Sequence, residues 1–347
     1  MESGQWASPW GRERIGPATL AQVMQETEEQ TASGEVTRFR PLATGFTPLD
    51  DVLNGGLRRG ELMVVGGPFG VGKTIFGLQV ARNVVRDHPD AGAMYVCYEH
   101  DRVHLMLRLI CLESAELGQA DRALTLRKLS DLALESSDGV GLLTKLGHIP
   151  RYAPLLDAMK AYADRLILVK AGGGISTLEH IRQWVREALD SGLQELLLVV
   201  DYLQKVPVES SSLQPETEVT TYLAQGLKDL AMSMGIQVIA IAASDRPGLK
   251  VKRMRLSDLR GSSALQYEAD IGLMLNNKYD IISREHLIYN PLKAEAMRNW
   301  VVLSVEKNRA GRHHVDMEFA LDAAHFRMVP IGGFVRERLV DEKVTLE

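Results

Sequence analysis

The sequence predicts an α/β fold with a mainly parallel central sheet, helices on both faces, and antiparallel strands at the C-terminal edge. Three observations predict it. Short apolar runs without polar alternation recur along the chain, as strands buried on both faces require. Helical stretches separate these runs, which is the pattern of a parallel sheet. A glycine-rich loop, Gly67-Pro68-Phe69-Gly70-Val71-Gly72-Lys73-Thr74, follows the first such run and opens the first helix after it. That context marks a phosphate-binding loop, or P-loop.

The elements follow in order. Residues 1–18 are rich in Gly, Ser, Pro and charge and predict a disordered tail. Thr19 to about Thr31 carries Leu20, Val23 and Met24 among Gln and Glu, a short amphipathic helix with a narrow apolar stripe. It either folds back on its own domain or docks on a neighbouring subunit. Ala32-Ser33-Gly34-Glu35 makes a link, so 19–43 reads as helix and linker, 44–335 as the main domain and 336–347 as a C-terminal tail. Leu62–Val65 is a buried strand, and Ile75 to about Arg86 is the helix beyond the glycine loop. Met94–Tyr98 is a second buried strand, expected beside the first. Val103–Ala163 is helical, broken near Gly139–Gly141 and at Pro150. Then come strand Leu166–Val169, helix Thr177–Leu189 with Thr177 as cap, strand Leu196–Val200, helix Thr217–Met234 and strand Gln237–Ala242. Helix Leu256–Tyr267 and strand Ile271–Leu275 precede strands Val301–Val305, Val315–Phe319 and His325–Met328. These last alternate more and are separated by turn residues, as antiparallel pairs are.

Composition bounds the function. The 347 residues suit one large domain with an N-terminal appendage. The hydrophobic fraction of 45% and charged fraction of 24% are those of an ordinary globular protein. A net charge of -5 excludes a global basic excess, so any nucleic-acid surface has to be a local patch. Cys97 and Cys111 sit in apolar runs and read as buried thiols of a reducing compartment, so a cytoplasmic location is expected. No apolar run reaches the ~20 residues of a membrane span, and no apolar signal core opens the chain.

The glycines of the loop let backbone N–H groups turn inward around phosphate oxygens, and the helix N-terminus adds partial positive charge. Lys73 reaches the β- and γ-phosphates of ATP, and the Thr74 hydroxyl ligates Mg²⁺. Asp201 ends the most apolar strand, where a carboxylate meets the Mg²⁺ shell. Glu99 ends the second strand and is placed to polarise an attacking water, with His100 and Asp101 competing for that role.

Several segments together resemble the C-terminal RecA-like ATPase domain of DnaB-family replicative helicases. Thr44-Gly45-Phe46-Thr47-Pro48-Leu49-Asp50 looks like that family's entry motif, followed by Gly55-Gly56-Leu57 and the P-loop. Val200-Asp201-Tyr202-Leu203-Gln204 matches its Walker B segment. Ser257-Asp258-Leu259-Arg260-Gly261-Ser262, running on to Glu268-Ala269-Asp270-Ile271, matches its late motif, and Lys307-Asn308-Arg309 with Gly311 resembles its lysine/arginine finger. The order holds over about residues 19–330. The resemblance implies a motor that assembles as a homo-hexameric ring around single-stranded DNA, with the Thr19–Thr31 helix packed on the adjacent subunit. It makes Glu99 the catalytic glutamate, and it sends Lys307 and Arg309 to the γ-phosphate of the neighbouring subunit's ATP.

Two departures accompany it. The primase-binding N-terminal domain of the bacterial helicases is not expected, and Ala243 stands where the family usually has a γ-phosphate-sensing glutamine. Ser244 and Asp245 are the polar residues that could substitute. The basic stretch Arg246, Lys250, Lys252, Arg253 and Arg255 follows a sheet strand. In the resembled family, loops here line the central channel and hold the DNA backbone by charge, without sequence preference. The function expected is an ATP-dependent DNA helicase or single-stranded-DNA translocase. The alternative is a RecA- or KaiC-like regulatory or loader ATPase without processive unwinding.

Overall fold

The computed structural model describes residues 16–34, 36, 39–118, 122–135, 139–172, 174–208, 216–244, 253–282 and 295–340. The strands are β1 (Leu62–Gly66), β2 (Ala91–Cys97), β3 (Leu166–Lys170), β4 (Glu195–Asp201), β5 (Gln237–Ile241), β6 (Ile271–Asn277), β7 (Trp300–Asn308), β8 (Val315–Asp322), β9 (Arg327–Met328) and β10 (Gly333–Phe334). The helices are α1 (Leu20–Ala32), α2 (Leu49–Val52), α3 (Lys73–Asp87), α4 (Arg102–Glu116), α5 (Leu126–Leu134), α6 (Leu142–His148), α7 (Ala153–Lys160), α8 (Leu178–Asp190), α9 (Glu216–Met234), α10 (Ser262–Glu268) and α11 (Lys278–Ile281).

One ten-stranded sheet runs in the order β10-β8-β7-β6-β1-β5-β4-β2-β3, with β9 paired to β8. From β6 to β3 all pairings are parallel, and β6-β7, β7-β8 and β8-β10 are antiparallel. β1, β2, β4 and β5 are buried at every residue. This is why their runs lack polar alternation: both faces are covered. Phe46, Phe76 and Tyr95 belong to the core cluster on one face, Ile181, Leu227 and Leu265 to that on the other.

Several local expectations change. β2 does not lie beside β1; β5 and β4 stand between them. The expected helix Leu256–Tyr267 splits into a 3-10 turn over Leu256–Asp258 and α10, because Gly261 takes φ +71 between them. Thr177 occupies the N-cap of α8, but its hydroxyl meets the His180 ring at 2.9 Å instead of a backbone N–H. The strand expected at His325–Met328 is a 3-10 turn followed by the two residues of β9, and α11 replaces a turn. The chain also stays attached beyond 335: Glu337 pairs with Lys278 at 3.0 Å and Val340 N donates to Ile281 O at 2.7 Å. Residues 1–15 of the expected tail lie outside the described residues.

The entry motif is a clasp. Asp50 accepts from Thr44 N, Thr44 Oγ1 and Gly45 N at 2.7–2.9 Å. Phe46 then packs its ring 5.2 Å from Phe76 and 5.6 Å from Phe319, tying the segment to α3 and β8. α1 is closed by a capping box between Thr19 and Gln22, yet it buries no residue, and Leu20 is 76% exposed.

Candidate nucleotide site

Register brings the C-terminal ends of four central strands into one row. Val65 pairs with Ile241, Ile241 with Asp201, and Asp201 with Cys97. The loops that leave this row therefore share one edge of the sheet, where ligands of parallel α/β folds bind. A cleft of about 230 Å³ opens there, lined among others by Phe69, Lys73, Thr74, Glu99, Arg108 and Asp201.

The phosphate loop connects β1 to α3. Gly67, Gly70 and Gly72 have φ of +146, +75 and +101. A Cβ at Gly67 would stand 2.3 Å from Leu275 O, whereas one at Gly70 would meet nothing within 4 Å. The first glycine lets the loop pass the neighbouring strand, and the second leaves room for a ligand against the backbone. Lys73 Nζ donates to Gly67 O at 2.7 Å and Pro68 O at 2.9 Å, folding its ammonium over the loop. Burial pushes Lys73 down to about 8, against the pull of Asp201 and Glu99. An ammonium kept in poor solvation is set to gain from an anion.

Thr74 Oγ1 donates to Asp201 Oδ2 at 2.8 Å. Burial raises the Asp201 carboxyl above the usual range, while hydrogen bonds from Tyr95 and Thr74 work the other way. A hydroxyl and a carboxylate in contact are a hard-oxygen pair suited to Mg²⁺, with phosphate oxygens and water completing its shell. Among the described residues, no group of three or more His, Cys, Asp or Glu could hold a metal.

Glu99 is exposed and lines the cleft. Asp101 caps α4 by accepting from His104 N at 2.8 Å. His100 stacks on His104 with centroids 4.8 Å apart and meets Arg108 at 3.0 Å. Of the three candidates for the water-polarising role, Glu99 is the carboxylate that lines the cleft without such a capping task.

Lys307 and Arg309 are not in this cleft. Arg309 N donates to Asp270 O, and Asp270 N to Leu62 O at the start of β1, while Lys307, level with Val64 through Gly272, turns its ammonium to the end of α10, so both side chains stand toward the opposite edge of the sheet. Arg309 is 53% exposed, bonded to Tyr267 O at 2.7 Å and to Asp270 Oδ1 at 3.3 Å. Lys307 Nζ donates to Gln266 O and Tyr267 O.

Ala243 lines the cleft, and its backbone N donates to Gln204 Oε1 at 2.9 Å. Ser244 is buried, with a hydroxyl that lacks a hydrogen-bond partner. Of the basic stretch, Arg246, Lys250 and Lys252 lie outside the described residues, as does Asp245. Arg253 is a correction: it is 7% exposed and held by Asp316 and Ser304, because β8 and β7 place a carboxylate and a hydroxyl beneath it. Arg255 pairs with Glu306 at 3.2 Å.

Two residues of the site were missed from sequence. Arg108 projects into the cleft with its guanidinium 4.8 Å from the Phe326 ring. The signal was a lone arginine in the apolar run Met106-Leu107-Arg108-Leu109-Ile110. Tyr95, fully buried on β2, donates its hydroxyl to Asp201 Oδ2 at 2.7 Å. Its signal was a single polar atom in a wholly apolar strand.

Residues 41–328 match the model of the DnaB-like helicase C-terminal domain. The chain belongs to that family. It is 29% identical over 317 residues to the replicative DNA helicase DnaB of Mycoplasma pneumoniae, covering 88% of this chain and 61% of that protein. It is 27% identical over 256 residues to the replicative DNA helicase DnaC of Bacillus subtilis, covering 73% and 50%. The chain thus spans about half to three fifths of these DnaB-family relatives. The fold is likewise that of a solved ATPase domain, with TM-score 0.69 and 19% identity over 90% of this chain and 99% of that one. A DnaB-like replicative helicase whose interactions with primase were described gives TM-score 0.64 at 19% identity, covering 90% and 67%. The family confirms the RecA-like ATPase architecture expected from the entry, Walker B and late motifs.

Proposed function

We propose that this chain is an ATP-dependent DNA helicase or single-stranded-DNA translocase of the DnaB type, with 44–335 as its ATPase domain. The observation that carries the reading is the shared edge at which Lys73, Thr74, Asp201 and Glu99 line one cleft, while Lys307 and Arg309 stand at the opposite edge. The inward loop and Lys73 bind the triphosphate, Thr74 and Asp201 hold Mg²⁺, and Glu99 orients water. When bound, Mg²⁺ neutralises charge on the phosphates. Arg309 and Lys307 cannot reach their own cleft, so they act on the ATP of an adjacent copy in a ring, a homo-hexamer by family resemblance. Single-stranded DNA is the track, met by Arg246, Lys250 and Lys252, with Arg255 at the loop's margin. A cytoplasmic site of action fits this role.

The test is ATP turnover with no DNA, with single strands and with a forked duplex, alongside release of the displaced strand. Single strands should stimulate turnover, and the fork should be opened. Lys250→Ala with Lys252→Ala should remove stimulation, keep basal turnover, and lower the salt slope of binding by roughly 0.7 per lost contact. Turnover indifferent to DNA, with no strand release, would refute the motor.

A further inference from the structure

Asp201 Oδ2 receives two hydrogen bonds from opposite walls. Thr74 reaches it from α3 at 2.8 Å, and Tyr95 reaches it from β2 at 2.7 Å. Tyr95 pairs with Val199 and Cys97 with Asp201, so the phenol lies along the strand one register step below the carboxylate and on the same face. Its ring runs beneath α3 where the helix carries Gly77; a Cβ there would stand 3.6 Å from Tyr95 Cε2 and 3.0 Å from Ile241 Cδ1. Every other residue of β2 is apolar in its side chain or a thiol. A hydroxyl in such a strand is destabilising if left unpaired, and a phenylalanine would fill the same space without that risk. The hydroxyl is directed at Asp201, the buried carboxylate among the described residues that line the cleft.

We propose that Tyr95 is a positioning residue for the divalent cation of this cleft: its hydroxyl holds the Asp201 carboxylate by Oδ2 and so presents Oδ1 to the metal shell. The proposal rests on the nucleotide reading of the cleft. Thr74 alone would not fix the carboxylate, because its oxygen would also be needed to hold the metal. Tyr95 is then the partner that keeps Asp201 in place whichever way Thr74 turns. Such partners change metal affinity by about 10–100-fold when removed.

The experiment uses Mn²⁺ and ADP on the full chain, with bound Mn²⁺ read by electron paramagnetic resonance. Tyr95→Phe should weaken Mn²⁺ binding to the ADP complex about tenfold and leave ADP affinity in EDTA unchanged. In an Asp201→Ala background the same change should have no further effect, since the hydroxyl acts only through that carboxylate. If Tyr95→Phe melts below the assay temperature, 2,3-difluorotyrosine at position 95 replaces it; the altered donor should shift Mn²⁺ affinity severalfold with Asp201 in place and not at all in the Asp201→Ala background. Unchanged Mn²⁺ affinity, or equal losses with and without Asp201, overturns the proposal and leaves Tyr95 as packing. A wild-type chain that binds no ADP in either buffer overturns the nucleotide reading itself, a result distinct from loss of the metal effect alone.

Discussion

Lys73 gives the cleft a pH signature. Burial holds its ammonium at about 8 in the free protein. Phosphate oxygens placed beside it favour the charged form and raise that value in the complex. Where the bound state holds the proton more tightly, binding is strongest below the free-state pKa and weakens as pH rises through it. ADP affinity in EDTA should therefore be flat up to about pH 8 and fall by up to about tenfold per unit above it. Lys73→Met should bind more weakly and show no such bend. Isothermal titration from pH 7 to 9.5 checks both, and a flat wild-type profile would show that Lys73 is not the phosphate ligand. The P-loop and Asp201 were legible as a motif because their chemistry demands particular residues at particular spacings. Tyr95 and Arg108 were not, since each sits in an apolar run whose period says nothing about which polar atom it reaches. Arg253 departs from the DNA-facing role expected of the basic stretch for the same reason: the carboxylate beneath it comes from a segment 63 positions away.

At the scale of elements, Gly261 decides where one helix stops and another starts. It has φ +71, and a Cβ there would lie 2.5 Å from Thr220 Cβ and Cγ2 on α9. The strain of that φ adds to a collision with a side chain anchored on a packed helix. Gly261→Ala should cost about 2 kcal/mol or more and lower Tm by several degrees. Gly235→Ala, at φ +61 with nothing within 4 Å, meets no such collision and should cost nearer 1 kcal/mol. Calorimetry on the two variants separates backbone strain from crowding; equal losses would remove Thr220 from the account. The glycine stood in plain view within an otherwise helical pattern, but its conformation depends on α9 packing against α10. Strand order was hidden likewise. Each buried run was readable alone, whereas the separation of β2 from β1 depends on crossovers that bring β4 and β5 between them. Alternation did mark β8, which is covered on one face, but β7 is antiparallel to both neighbours with Val301–Val305 all buried, so its run did not show its direction.

At the scale of the molecule, the cleft and Arg309 lie at opposite edges of one sheet. Lys73→Ala and Arg309→Ala should each abolish turnover while binding of the other copy's intact half persists. Mixed in equal amounts, the two inactive chains should regain activity, because roughly a quarter of contacts in a random head-to-tail assembly join an intact loop to an intact arginine. Turnover of the mixture measured after subunit exchange checks this; a mixture as dead as its components would place both residues in the service of one chain. The same geometry has an arithmetic consequence. A row of copies joined cleft to arginine always ends in one cleft with no arginine and one arginine with no cleft. Closing the assembly abolishes both loose ends at once. On the proposed trans role of Arg309, turnover per chain should then follow the count of ends: low for an open pair, rising with length for an open row, and full only where every cleft meets an arginine.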